Sequence, residues 1–200
     1  MTTTFLLVRH AAHDRVGTIL CGRMPGVSLG EVGRAQAQGV SDRLGRETAV
    51  AAVQTSPIER ARQTAEPIAA RLGRAVEENE ALTEIDFGAW TGTAFAELER
   101  DPRWAAWNGA RAVNRPPYGE SMMEAQARIV GALEKLRGLH RERSVVLVSH
   151  GDVIKAALLY HLGLPLDAYS RFDVDPASIS TLVVGDWGSK LIRLNEVVPA

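Results

Sequence analysis

The chain has 200 residues, 46% of them hydrophobic and 24% charged, with a formal net charge of −1. That balance fits one globular domain with a full core, or one domain with a small cap, and gives no charge footprint for bulk nucleic acid or a membrane surface. The single cysteine, Cys21, excludes an internal disulfide and a cysteine-based zinc site.

The first element is a strand over residues 4–8. In Phe5-Leu6-Leu7-Val8-Arg9-His10 an apolar run ends abruptly on a cation and an imidazole. Such a run reads as a buried strand, and ligands of open α/β sheets bind at carboxyl strand edges. Residues 11–28 follow as a long loop broken by Gly17, Gly22, Pro25 and Gly26, and long loops after strand edges are often functional. A helix is expected from about Leu29 to Leu44, with Ser28 and Glu31 at capping-box spacing and Gly30 as the other N-cap candidate. Ala49 to Val53 reads as a second short strand.

Ser56, Pro57 and Glu59 then fit the N-cap, first-turn and capping-box positions of a helix whose buried face is Ile58, Ala61, Ala65, Ile68 and Leu72. Pro67 should kink it. Arg60 in its first turn can reach the strand edge. Residues 75–85 read as a strand and its approach, ahead of Glu84 and Asp86. A short helix is expected near 93–100. Asp101 to Pro117 reads as irregular, so 93–117 forms a lid-like segment in which Trp104 and Trp107 are either flap residues or core anchors.

Ser121 and Glu124 open the next helix with a capping box, and Met122, Ala125, Ile129, Leu133 and Leu136 give its face. Val145-Val146-Leu147-Val148-Ser149-His150-Gly151 repeats the opening logic: an apolar strand ends on a histidine, and Gly151 starts a helix that Gly163 and Pro165 stop. Ser178 to Val184 and Lys190 to Leu194 form a closing antiparallel hairpin. The whole reads as a three-layer α/β/α sandwich with a mostly parallel mixed sheet.

Arg9, His10, Arg60, Glu84 and His150 are the candidate cluster. Two arginines beside histidines are costly as core packing unless an anion lies between them. Phosphate fits: arginine grips it bidentately, and the helix start at Gly151 adds N–H groups. One imidazole can attack phosphorus while the other and the arginines offset charge on the equatorial oxygens. A carboxyl group of raised pKa can protonate the leaving oxygen. Glu84 is the candidate. Asp86 falls on the same side of an extended segment and stays in competition.

Val-Arg-His at 8–10, Ser56 through Arg60 to Thr64-Ala65, Leu82-x-Glu84 through Phe87-Gly88-x-Trp90-x-Gly92, Gly119-Glu120-Ser121 and Ser149-His150-Gly151 together resemble the histidine phosphatase (phosphoglycerate-mutase-like) superfamily. The match runs in order over nearly the whole chain, including Ile179-Ser180 and Leu194-Asn195. The resemblance implies His10 as the phosphorylated nucleophile, Arg9, Arg60 and His150 as the phosphate pocket, and Glu84 as proton donor. It implies no metal and no cofactor. Cys21, Gly22, Arg23 and His13 are expected at the substrate mouth. Ala11-Ala12-His13 departs from the family's usual Gly, acidic residue and Thr or Ser, and Asp14, Arg15 and Val16 stand where an asparagine is often found. Both departures disfavour mutase-type recognition of a sugar acid. His10-x-x-His13-Asp14 has metal-patch spacing, but no further His or Cys stands near it.

The expected function is therefore hydrolysis of a phosphomonoester through a phosphohistidine, on a small phosphorylated metabolite. The rival readings are a phosphoglycerate-type mutase and a non-catalytic phosphate-binding protein. The short span between Glu84 and Gly119 favours hydrolysis, since mutases usually carry a longer insert there. A cytoplasmic setting is expected, with neither nucleic acid nor membrane as partner. Relatives in the family are often dimers, so a homodimer is compatible with the resemblance.

Overall fold

The computed structural model describes residues 1–199. Six strands form one sheet in the order β3-β2-β4-β1-β5-β6: β1 (Thr2–Arg9), β2 (Val50–Thr55), β3 (Val76–Glu78), β4 (Arg143–Ser149), β5 (Ile179–Gly185) and β6 (Gly188–Glu196). The first four pair in parallel, and the closing hairpin adds β5 antiparallel to β1 and β6 antiparallel to β5. The fold is the expected α/β/α sandwich with a mixed sheet.

Strand alternation builds the layers. Phe5 and Leu7 of β1, with Val145 and Leu147 of β4, face one core with α5 (Met122–Leu139) and α6 (Gly151–His161). Leu6, Val8, Val146 and Val148 face the other, with α1 (Glu31–Leu44) and α2 (Glu59–Leu72). Both central strands are buried on both faces, which is why they read as unbroken apolar runs.

Several boundaries move for identifiable reasons. The first helix starts at Glu31 with Gly30 as N-cap, while Ser28 bonds Glu59 instead of capping. The expected Ser56–Glu59 capping box is absent: α2 starts at Glu59 with Ile58 as N-cap. Pro67 lies inside α2 without ending it, and its carbonyl accepts from Ser41 Oγ at 2.8 Å. The strand expected over 75–85 ends at Glu78 and gives way to a 3-10 turn at Glu80–Leu82. Residues 101–117, expected to be irregular, contain a helix, α4 (Pro102–Gly109). Asp101 caps it by accepting from Arg103 N at 2.9 Å, and Pro102 sits at its start. The helix before it, α3, spans Phe95–Leu98. Trp107 is a core anchor, fully buried with its ring edge-on to Phe87; Trp104 is partly buried and packs edge-on against Trp90. The capping box at Ser121 and Glu124 is present.

Candidate active site

The sheet places the two histidines. Strands β1 and β4 are adjacent and parallel, with Arg9 opposite Ser149. His10 and His150 therefore leave the sheet side by side, ring centroids 5.1 Å apart. His10 N donates to Ser149 O at 2.9 Å, and Ser149 Oγ donates to Leu82 O at 2.7 Å. The second bond ties the end of β4 to the segment carrying Glu84.

Hydrogen bonds fix the tautomers. His10 Nδ1 lies 2.9 Å from Ala11 O. A carbonyl only accepts, so Nδ1 carries the proton and Nε2 keeps its lone pair. Arg60 Nε donates to that lone pair at 3.2 Å. Arg60 Nη2 donates to His150 Nδ1 at 3.2 Å and to Gly22 O at 2.8 Å. His150 thus carries its proton on Nε2 and donates to Ser56 Oγ at 2.9 Å. Burial, then the charge of Arg60, pushes both imidazoles well below their ordinary pKa, so both are neutral.

Two buried guanidinium nitrogens, Arg9 Nε and Arg60 Nη1, have no hydrogen-bond partner among the described residues. Arg9 is aimed by its Nη1, which donates to Val174 O at 2.7 Å. Its guanidinium lies against Gly151, where a Cβ would come within 3.4 Å of Arg9 Nε. Orphaned buried cationic donors beside the imidazole of His10 can accept an anion. They line a cleft of about 240 Å³ with His10, His13, Cys21, Gly22 and Glu84.

Glu84 meets the electrostatic expectation. Its Oε1 accepts from Ile85 N at 2.9 Å, and Oε2 stands 3.8 Å from His150 Nδ1. Burial, reinforced by the negative charge of Asp152, pushes its pKa up to about 7 against the pull of Arg60 and Arg9. Asp86 is turned away: its Oδ1 accepts from Gly88 N at 2.9 Å. Residues 84–86 are not part of a strand, and only Glu84 of the two carboxylates lines the cleft.

The histidine phosphatase superfamily (branch 1) profile matches residues 5–197. The chain belongs to that superfamily. Phosphoserine phosphatase 1 of Hydrogenobacter thermophilus is 31% identical to this superfamily member, over 95% of this chain and 90% of that protein. An uncharacterised protein of Mycobacterium tuberculosis, Rv0525, is 35% identical over 97% and 95% of the two chains. The native structure of mycobacterial glucosyl-3-phosphoglycerate phosphatase superposes with a TM-score of 0.87 at 26% identity, covering 98% of this chain and all of that one.

Within this superfamily member the structure gathers His10, Arg9, Arg60, Glu84, Gly151, Cys21, Gly22 and His13 around one cleft, with His150 fully buried behind them against Arg60. Arg23 is the exception. It faces away from the cleft, its Nε donating to Glu84 O at 2.8 Å and its Nη2 to Glu120 Oε2 at 3.1 Å. Its place is behind the Glu84 segment, because Glu120 and the carbonyl of residue 84 offer acceptors that open cleft does not. His13 stacks on His10, centroids 5.5 Å apart and planes 26° off parallel. Burial and the arginines lower its pKa to about 4.

Three contributors escape sequence reasoning. Ser56 looks like a helix cap and instead orients His150. Thr64 Oγ1 accepts from Ala11 N at 3.0 Å and donates to Arg60 O at 2.8 Å, joining the loop after His10 to the helix carrying Arg60. Asp152 sets the charge near Glu84. The two residues between Ser56 and the true helix start at Glu59 are the one local sign that the hydroxyl is free for other work.

Proposed function

We propose that this protein is a phosphomonoester hydrolase working through a phosphohistidine on His10, and that its substrate is a small phosphorylated metabolite. The observation that carries the reading is the lone pair of His10 Nε2 facing the unpartnered Arg9 Nε and Arg60 Nη1.

When a phosphate monoester enters, its oxygens give the free N–H groups of Arg9 and Arg60 acceptors, and Arg60 releases His10 Nε2. That nitrogen attacks phosphorus in line with the ester oxygen. The N–P bond forms as the P–O bond breaks, and protonated Glu84 gives its proton to the leaving alkoxide. Ala11 O holds the Nδ1 proton and supports the positive charge on the phosphorylated ring. Glu84, now a carboxylate, takes a proton from water. The hydroxide attacks phosphorus, the N–P bond breaks, and His10 returns to its starting tautomer. Arg9 and Arg60 offset charge on the equatorial oxygens throughout, with His150 holding Arg60 through its Nδ1. The cleft of about 240 Å³ suits a small leaving group better than a protein loop.

The test is a rapid quench of enzyme mixed with p-nitrophenyl phosphate or 3-phosphoglycerate. The wild type traps an acid-labile, base-stable phosphoryl group, His10→Ala traps none, and EDTA leaves turnover unchanged. A phosphoryl group on another residue overturns the nucleophile. Fast interconversion of 3- and 2-phosphoglycerate overturns hydrolysis in favour of a mutase.

A further inference from the structure

Lys155, one turn into α6, lines the cleft beside Asp152, Asp173 and Asp175. Its side chain is only 13% exposed, yet its ammonium makes no hydrogen bond among the described residues. Its ion-pair partner, Asp173, stands off at 3.8 Å and is 84% exposed. The rings of Tyr169 and Phe172 lie 5.7 and 5.8 Å from the nitrogen. Most of the side chain is packed away while the ammonium faces the cleft, and this partial burial pushes its pKa down.

The other carboxylates nearby are engaged. Asp152 pairs at 2.9 Å with buried Arg111, whose guanidinium lies 3.7 Å from the Tyr169 ring centroid. Asp175 Oδ2 accepts from Asn195 Nδ2 at 2.8 Å, and Asp175 N donates to Asn195 Oδ1 at 2.7 Å. Asp173 is solvated and weakly held, so an incoming anion displaces it at little cost. One part of the cleft wall is apolar, formed by Val16, Ile19, Leu20 and Phe95.

We propose that Lys155 is an anion subsite for the leaving group, which makes the preferred substrate a phosphomonoester of a small organic acid. The phosphoryl group rests on Arg9 and Arg60, the carbon skeleton on the Ile19, Leu20 and Phe95 wall, and the carboxylate on the Lys155 ammonium. A charge-assisted bond to the carboxylate gives the ammonium a fixed anionic partner closer than Asp173 at 3.8 Å. The proposal rests on the reading of the cleft as a phosphomonoesterase site.

Two substrate pairs isolate the carboxylate: 3-phosphoglycerate against glycerol 3-phosphate, and phosphoserine against phosphoethanolamine. In the wild type the acid of each pair is favoured about 10- to 100-fold in kcat/KM, chiefly through KM. Lys155→Met brings both ratios close to one, and Lys155→Arg keeps much of the preference. Ratios unchanged in Lys155→Met, or a wild-type preference for phosphoethanolamine, which would assign a cationic leaving group to Asp173, overturn the subsite. Calorimetric binding of the same pairs to His10→Ala, with and without Lys155→Met, repeats the comparison without turnover. If nothing is hydrolysed while acids still bind better through Lys155, the phosphatase reading fails and the subsite stands. Hydrolysis with binding blind to the carboxylate has the opposite meaning.

Discussion

The inner and outer parts of the cleft are built by different means. His10, His150, Arg60 and Ser56 are buried, and each touches another of the set through a hydrogen bond between 2.9 and 3.2 Å. Their backbones are strand ends and a helix start, positions set by pairing across the sheet. Further out, His13 is half-buried, its Nδ1 has no partner among the described residues, and it meets His10 through a stack alone. Lys155 likewise makes no hydrogen bond there. Interlocked groups cannot change one at a time without leaving a buried polar atom unpaired. Groups held by a single contact can. The inner part should therefore govern every substrate alike, and the outer part should decide between substrates.

The largest expected effect tests the link between the two parts. Glu84→Gln loses about 10²- to 10⁴-fold on alkyl phosphates, whose leaving alkoxide needs a proton, and much less on p-nitrophenyl phosphate. Equal losses on both would make Glu84 a binding group. Because the carboxyl titrates at about 7, kcat/KM for alkyl phosphates falls as pH rises past 7 in the wild type, and that limb disappears in the variant. Stability carries the same signature. Between the ordinary carboxyl pKa of 4.5 and about 7, native Glu84 keeps a proton that the unfolded chain has lost. Its contribution to stability therefore falls as pH rises through that window. Denaturant unfolding of wild type and Glu84→Gln across that range shows a slope difference; parallel curves contradict the raised pKa.

Arg60→Lys comes next. It keeps the charge and loses the fork that holds both histidines, for an expected loss of about 2–3 kcal/mol, or 30- to 150-fold in kcat/KM on all substrates. Inorganic phosphate and vanadate should inhibit it more weakly, and unchanged inhibition would place Arg60 outside the site. Ser56→Ala removes the acceptor for His150 Nε2, worth about 0.5–1.5 kcal/mol, or 2- to 12-fold, and again independent of the leaving group. His13→Thr should be smallest, about 3-fold or less on p-nitrophenyl phosphate, because only a stacking contact is lost. A loss as large as that of Arg60→Lys would erase the distinction between inner and outer parts.

The inner part was also the more legible in sequence, for a physical reason. Apolar runs that stop on Arg-His and Ser-His encode both a buried strand and what stands at its edge, so strand and site are read together. Local capping rules place Ser56 at a helix end and the family resemblance places Arg23 at the substrate mouth, but distant partners decide otherwise: His150 draws the serine away from the helix end, and Glu120 with the Glu84 carbonyl draws the arginine behind the site. Helix α4 carried a readable start in Asp101-Pro102, overshadowed by the tryptophans and prolines around it. The end of β3 at Glu78 had no such mark, since Leu82 and Ile85 are buried by the neighbouring helices and not by strand pairing.

Strand β1 comes before every other element of the fold, yet its two neighbours in the sheet are β4 and β5, which begin at Arg143 and Ile179. Ala177 N then bonds Arg9 O at 3.1 Å, just where the Arg9–His10 pair begins. His10 thus waits for most of the polypeptide before either flank of its strand is covered, and the long sequence separation of these contacts makes their closure slow. During synthesis His10 should stay uncommitted until β5, which begins at Ile179, is outside the exit tunnel. Stalled nascent chains ending before β5 should fail to retain vanadate or phosphate, and chains released past β6 should bind it in one step.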